Sequence, residues 1–208
     1  AIPNMFTYTV PTSGVGTFSN DVAFTLPEGL TAYYCNTFDA ANSTISMVKI
    51  DGAVPANTGV LLKGTAGETY ILTTTTENPD AISGNALVAV TTPTHVEPTV
   101  EIAGVNYINF MLSKGKFIRI QEDDDDVKMP ANRAYLQIPA SSLNSSVRSI
   151  ALAWDETPNS VMQVENRLVR TGNTVYDLQG RRVVNDQNAN RKLQRGVYID
   201  NGKKVFVK

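Results

Sequence analysis

Reactive side chains are scarce in this sequence. Its 208 residues hold one cysteine (Cys35), one histidine (His95) and one tryptophan (Trp154). A single cysteine excludes an internal disulfide framework and a cysteine-built zinc site. A single histidine excludes any centre that needs two imidazoles. Charge of one sign is missing too: the formal net charge is -2, which leaves no electrostatic case for binding nucleic acid. No run of eighteen apolar residues occurs, so no segment reads as a transmembrane helix. The opening stretch AIPNMFTYTV has neither the basic start nor the apolar run of a secretion signal. The expectation is that such a signal was removed or lies upstream.

What is present is strand-forming. The hydrophobic share of 42% is enough for a packed core. Threonine is abundant and valine, isoleucine and tyrosine are common, all residues that suit a pleated, half-buried surface. Gly, Pro, Asn and Asp punctuate the chain at roughly the eight-to-twelve-residue spacing of a β-sandwich or barrel. No window shows the apolar stripe of an amphipathic helix; one helical turn is conceivable near Asp80 to Leu87. The predicted fold is all-β: an antiparallel, sandwich-like larger domain over residues 1–155 and a small antiparallel β unit over 156–208. The polar stretch DETPNS separates the two.

Several hairpins are predicted. Gly59 to Lys63 is a short, continuously apolar strand, expected to pair with Thr69 to Thr74 across GTAGE. Asn106 to Leu112 and Lys116 to Gln121 flank the turn Ser113-Lys114-Gly115. Beyond the linker, Thr174 to Leu178 pairs with Arg181 to Val184. Gly196 to Asp200 pairs with Lys203 to Val207 across Asn201-Gly202, because Asn and Gly both tolerate positive φ. In that last hairpin Val197, Ile199, Val205 and Val207 are expected on one face, with Tyr198 and Phe206 on the other.

Candidate sites are few. Cys35 reads as a small buried hydrophobe, since a nucleophilic cysteine needs a base and His95 sits in a Pro- and Thr-rich stretch that reads as loop or edge strand. Gly14-Val15-Gly16 reads as a turn, because no helix follows it to complete a phosphate loop. Asp123, Asp124, Asp125 and Asp126 are a weak calcium candidate: hard cations take carboxylate oxygens, but the run lacks alternating spacers and a bend glycine. Tyr33, Tyr34, Tyr107 and Tyr135, with Trp154, are the aromatic candidates for a glycan platform. Neighbours on a strand face opposite ways, so Tyr33 and Tyr34 cannot share one face. Trp154 ends the alternating run Ile150, Leu152, Trp154 and is expected to be buried. No pair of acids is flanked by the aromatic platforms of a glycosidase, and the reading is non-enzymatic, with no cofactor. Arg181, Arg182, Arg191, Lys192, Arg195, Lys203, Lys204 and Lys208 make the C-terminal unit basic. They protect strand edges or dock an acidic envelope or export component.

Several strings together resemble a β-rich module of secreted and surface proteins of Bacteroidetes. They are VPANTGVLLKGTAGETYIL (Val54 to Leu72), SGNALV (Ser83 to Val88), SKGKFIRI and MPANRAYLQIPAS (Met129 to Ser141). GTFSNDVAF and GLTAYYC fit the opening of that pattern. The tail, VYDLQGRRV followed by LQRGVYIDNGKKVFVK, resembles the C-terminal signature of the same proteins and, more distantly, type IX sorting domains. The resemblance implies a secreted or cell-surface protein outside the cytoplasm. It implies an adhesin-like role on a host surface protein or polysaccharide, or else a sorting and anchoring role. It brings no catalytic residues.

Overall fold

The computed structural model describes residues 4–77, 79–121 and 127–154, and five strand backbones within 162–207. In chain order the strands are β1 (Met5–Thr9), β2 (Val15–Phe18), β3 (Phe24–Thr25), β4 (Thr31–Asp39), β5 (Thr44–Lys49), β6 (Val60–Lys63) and β7 (Thr69–Thr74). There follow β8 (Leu87–Val90), β9 (Thr94–His95), β10 (Thr99–Ile102), β11 (Val105–Ser113), β12 (Lys116–Arg119), β13 (Lys128–Met129), β14 (Arg133–Pro139) and β15 (Ser149–Trp154). Beyond residue 155 come β16 (Met162–Val164), β17 (Val175–Asp177), β18 (Arg182–Val184), β19 (Gly196–Asp200) and β20 (Lys203–Val207). The fold is all-β. Among the described residues the only helical element is a single 3-10 turn, Ala140–Ser142; the stretch near Asp80 is irregular instead. The chain divides into two compact units, Ala1–Asp155 and Glu156–Lys208.

The first unit is built on one large sheet. Its strands run β2-β6-β4-β5-β15-β12-β11-β14-β8, with β10 added on β11. Each strand of that path except the added β10 contributes to a single inner core, including Val15, Cys35, Met47, Leu61, Leu87, Phe110, Phe117, Leu136 and Ile150. Strands at both ends of the path share this core, so the sheet is curled around it. Hydrogen bonds join the two ends. The buried Ser19, just after β2, donates its hydroxyl towards the Val90 carbonyl at 3.1 Å and the Arg133 carbonyl at 2.7 Å. Asn132 Nδ2 donates to the Ser19 carbonyl at 2.9 Å.

A second, three-stranded sheet, β1-β7-β3, packs face to face on the outer side of β2, β6 and β4. Between them lies a second core that includes Tyr8, Phe18, Phe24, Val60, Leu62 and Leu72. The continuous apolar run of β6 follows directly. Leu61 faces the inner core while Val60 and Leu62 face the outer one, so both faces are buried. The predicted pairing of Thr69–Thr74 with Gly59–Lys63 is therefore wrong. β7 pairs with β1 and β3, while β6 pairs with β2 and β4. The GTAGE loop carries the chain from one sheet to the other. A third small cluster, Val90, Val96, Ile120 and Met129, lies on the outer side of β8, β14 and β11, under the short pair β9–β13.

Not all pairings are antiparallel. β15 lies parallel to β5, and in the second unit β16 lies parallel to β20. The second unit forms a five-stranded sheet, β16-β20-β19-β17-β18. Both predicted hairpins are there, β17 with β18 and β19 with β20. The register differs from the expected grouping. It pairs Val197 with Phe206 and Tyr198 with Val205. Directly paired positions share a face, so positions 205 and 207 go with 198, and 206 goes with 197 and 199.

Candidate functional site

The sequence candidates are dispersed by the fold. Tyr34 is half-buried on β4, next to Val48 of β5. Tyr107 is half-buried on β11, between Val100 and Pro139. Tyr135 packs against the Val90–Val96–Ile120–Met129 cluster, and burial pushes its hydroxyl pKa up. Among the described residues no ring contact joins any two of the four tyrosines. Asp123, Asp124, Asp125 and Asp126 lie outside the described residues.

Tyr33 is the exception. It meets Trp154 edge to face, with ring centroids 5.0 Å apart and planes at 79°. Strand order explains the meeting. Tyr33 and Cys35 of β4 are two residues apart and share the inner face. Cys35 is level with Met47 of β5, and Met47 is level with Trp154 of β15. The two rings are thus neighbours across β5, at the end of the inner core. Trp154 is half-buried against that core rather than enclosed by it, so the predicted burial is only partial. β15 runs on past its last paired position on β12, where Ala151 meets Lys116, and this carries the indole to the rim.

Lys63 completes the cluster. It ends β6 and shares the inner face with Leu61, and its Nζ sits 4.2 Å from the centroid of the Trp154 ring. A cation over an indole face is worth about 0.5–1 kcal/mol at an exposed site. Such a rim offers aromatic surface for the C–H face of a sugar and an ammonium for hydrogen bonds or charge. Sequence reasoning did not find Lys63. Its place at a strand end was legible, but its partner lies 91 residues away on a strand that is not adjacent.

Cys35 is fully buried, its sulfur 3.6 Å from that of Met47, and burial pushes the thiol pKa far up. His95 is on the surface, 3.1 Å from Glu97. A shallow hollow of about 450 Å³ lies beside β3, β4 and β5 and includes Lys49, Asp51 and Glu77. Its lysine is held by Asp51 at 3.3 Å. Comparison with known proteins adds no relative: no family model, no curated protein and no solved structure matches this chain.

Proposed function

We propose that this chain is a non-catalytic, adhesin-like binding module that works outside the cytoplasm and takes a polysaccharide or host glycan. The observation that carries this reading is the half-exposed Tyr33–Trp154 pair with Lys63 at the end of the inner core. Aromatic rings that are held by a core yet left half open supply rigid contact area at low entropic cost. The sequence resemblance to secreted and surface modules points the same way.

The test is a glycan array followed by calorimetry on the full chain. Binding should be found, and Trp154→Ala should weaken it at least tenfold. Trp154 also packs on the core, so Lys63→Gln serves as a second variant, with the melting temperature measured for both. Uniformly blank arrays would remove the proposal. So would glycan binding that is untouched by both substitutions.

A further inference from the structure

Next to the aromatic rim lies a second feature that the sequence did not announce. Val15 of β2 is level with Lys63 of β6, and it also lines a pocket of about 210 Å³. Three turns from distant parts of the chain surround this pocket. The β1–β2 turn brings Pro11 and Ser13, the β11–β12 turn brings Lys114, and the turn before β14 brings Arg133. Val15 and Leu112 supply its apolar wall. Two cations line it and, among the described residues, no carboxylate does.

The backbone fixes the point from which each cation projects. Lys114 and Gly115 form a two-residue hairpin turn with φ of 48° and 79°, between the paired Ser113 and Lys116. Asn-Gly is the favoured pair in such a turn, and a lysine at positive φ there is strained by roughly 1 kcal/mol or more. Arg133 follows Asn132, which is itself at φ 60°. The Asn132 amide is tied to the Ser19 carbonyl and, at 3.2 Å, to Asn20 Oδ1. The Arg133 carbonyl accepts from Ser19 Oγ, and its Nη1 donates to the Thr17 carbonyl over a long 3.4 Å. A guanidinium has five N–H donors in a planar fork, so most of its capacity to grip a carboxylate or sulfate remains after that one bond.

The pocket and the aromatic rim are linked through neighbouring strands. Lys63 is on the strand next to Val15, and adjacent strands are about 4.8 Å apart. We infer that the pocket at Lys114 and Arg133 receives the acidic substituent of a saccharide that contacts the Tyr33–Trp154–Lys63 rim, so that the ligand class is an acidic glycan. This rests on the glycan-binding reading above and narrows it. The shared chemistry is an anionic oxygen group, and a uronate carboxylate and a sulfate ester are its two sources.

The experiment compares oligogalacturonate, its carboxyl-reduced form and a sulfated galactan, each titrated into the full chain by calorimetry. At least one acidic ligand should bind ten times or more tighter than the reduced one. Whichever acidic ligand binds tighter identifies the source of the charge. Arg133→Gln combined with Lys114→Asn should erase the preference while binding to the reduced ligand persists. Lys114→Asn alone suits the positive φ of the turn, so it should keep or raise the melting temperature and still weaken acidic binding. A stability defect would not show that signature. Equal affinity for acidic and reduced ligands, or a preference that survives the double variant, overturns this inference and leaves the glycan reading standing. Binding of none of the three, together with a blank array, overturns both.

Discussion

Tyr8 shows how one atom sets local stability. Its side chain is 4% exposed, and its hydroxyl is buried with no hydrogen-bond partner among the described residues. The ring fits because residue 16 is a glycine: a Cβ there would overlap the Tyr8 hydroxyl and press on the Pro11 ring at 2.9 Å. Burial, partly offset by the Arg133 charge, pushes the Tyr8 pKa up to about 12. Below pH 10 the folded and unfolded chains both keep this proton. Between pH 10 and about 12 only the unfolded chain releases it, so this group lowers stability across that window as pH rises. Tyr8→Phe should remove that part of the alkaline loss, as seen in denaturant melts at pH 9, 10 and 11. It also deletes an unsatisfied buried hydroxyl, whose cost is about 1–3 kcal/mol. At pH 7 the variant should therefore be at least as stable as the parent. A clear loss at pH 7 would mean that the hydroxyl has a partner.

At the scale of elements, two turns with the same short sequence perform the same task. Pro-Ala-Asn occurs at 55–57 and again at 130–132, and both asparagines are left-handed, at φ 54° and 60°. Asparagine tolerates this conformation better than other residues with a side chain. Each turn delivers a strand, β6 or β14, and each bonds to the segment after β2. Asn57 N–H donates to the Asn20 carbonyl at 2.7 Å, and Asn132 reaches Ser19 and Asn20. Asn132→Ala should lose both the conformational fit and the amide bonds, for about 1–3 kcal/mol in chemical denaturation. Asn132→Gly keeps the φ and should lose less. If the two variants are equally stable, the side-chain bonds dominate over the backbone conformation. Sequence reading singled out both stretches for the family resemblance and gave them no role in joining the sheet. In the second unit, Arg182 sits on the edge strand β18, where a charge discourages further pairing.

For the first unit as a whole, the joint at Ser19 determines whether the large sheet holds its curl. No continuous strand ladder closes the ends of the path at this point. One buried hydroxyl bridges two carbonyls that are themselves level with each other, Val90 and Arg133. Ser19→Ala should cost about 1–3 kcal/mol by leaving buried carbonyls short of a donor. Hydrogen exchange should speed up at β2, β8 and β14 before it does at β5 and β15. Uniform acceleration through the unit would show that the joint is not a local weak point. The same joint positions Arg133, so the proposed acidic-glycan pocket should lose affinity in this variant.

The amino-acid sequence alone determined the all-β class, the main strands and the tight turns, because these depend on alternation, β-branched residues and residues that accept positive φ. The inert Cys35 was legible for the same reason: it lies in a strand and has no neighbour that could activate it. Beyond the tight hairpins β11–β12, β17–β18 and β19–β20, only the tertiary structure decided which strands pair. Alternation says which side of a strand is buried but does not name what covers it, so β6 and β7, adjacent in sequence, could go to different sheets. The contact of Lys63 with Trp154 and the pocket at Lys114 and Arg133 belong to that second category. They join residues from separate strands and turns, and nothing local marks a lysine at a strand end as the partner of one particular indole.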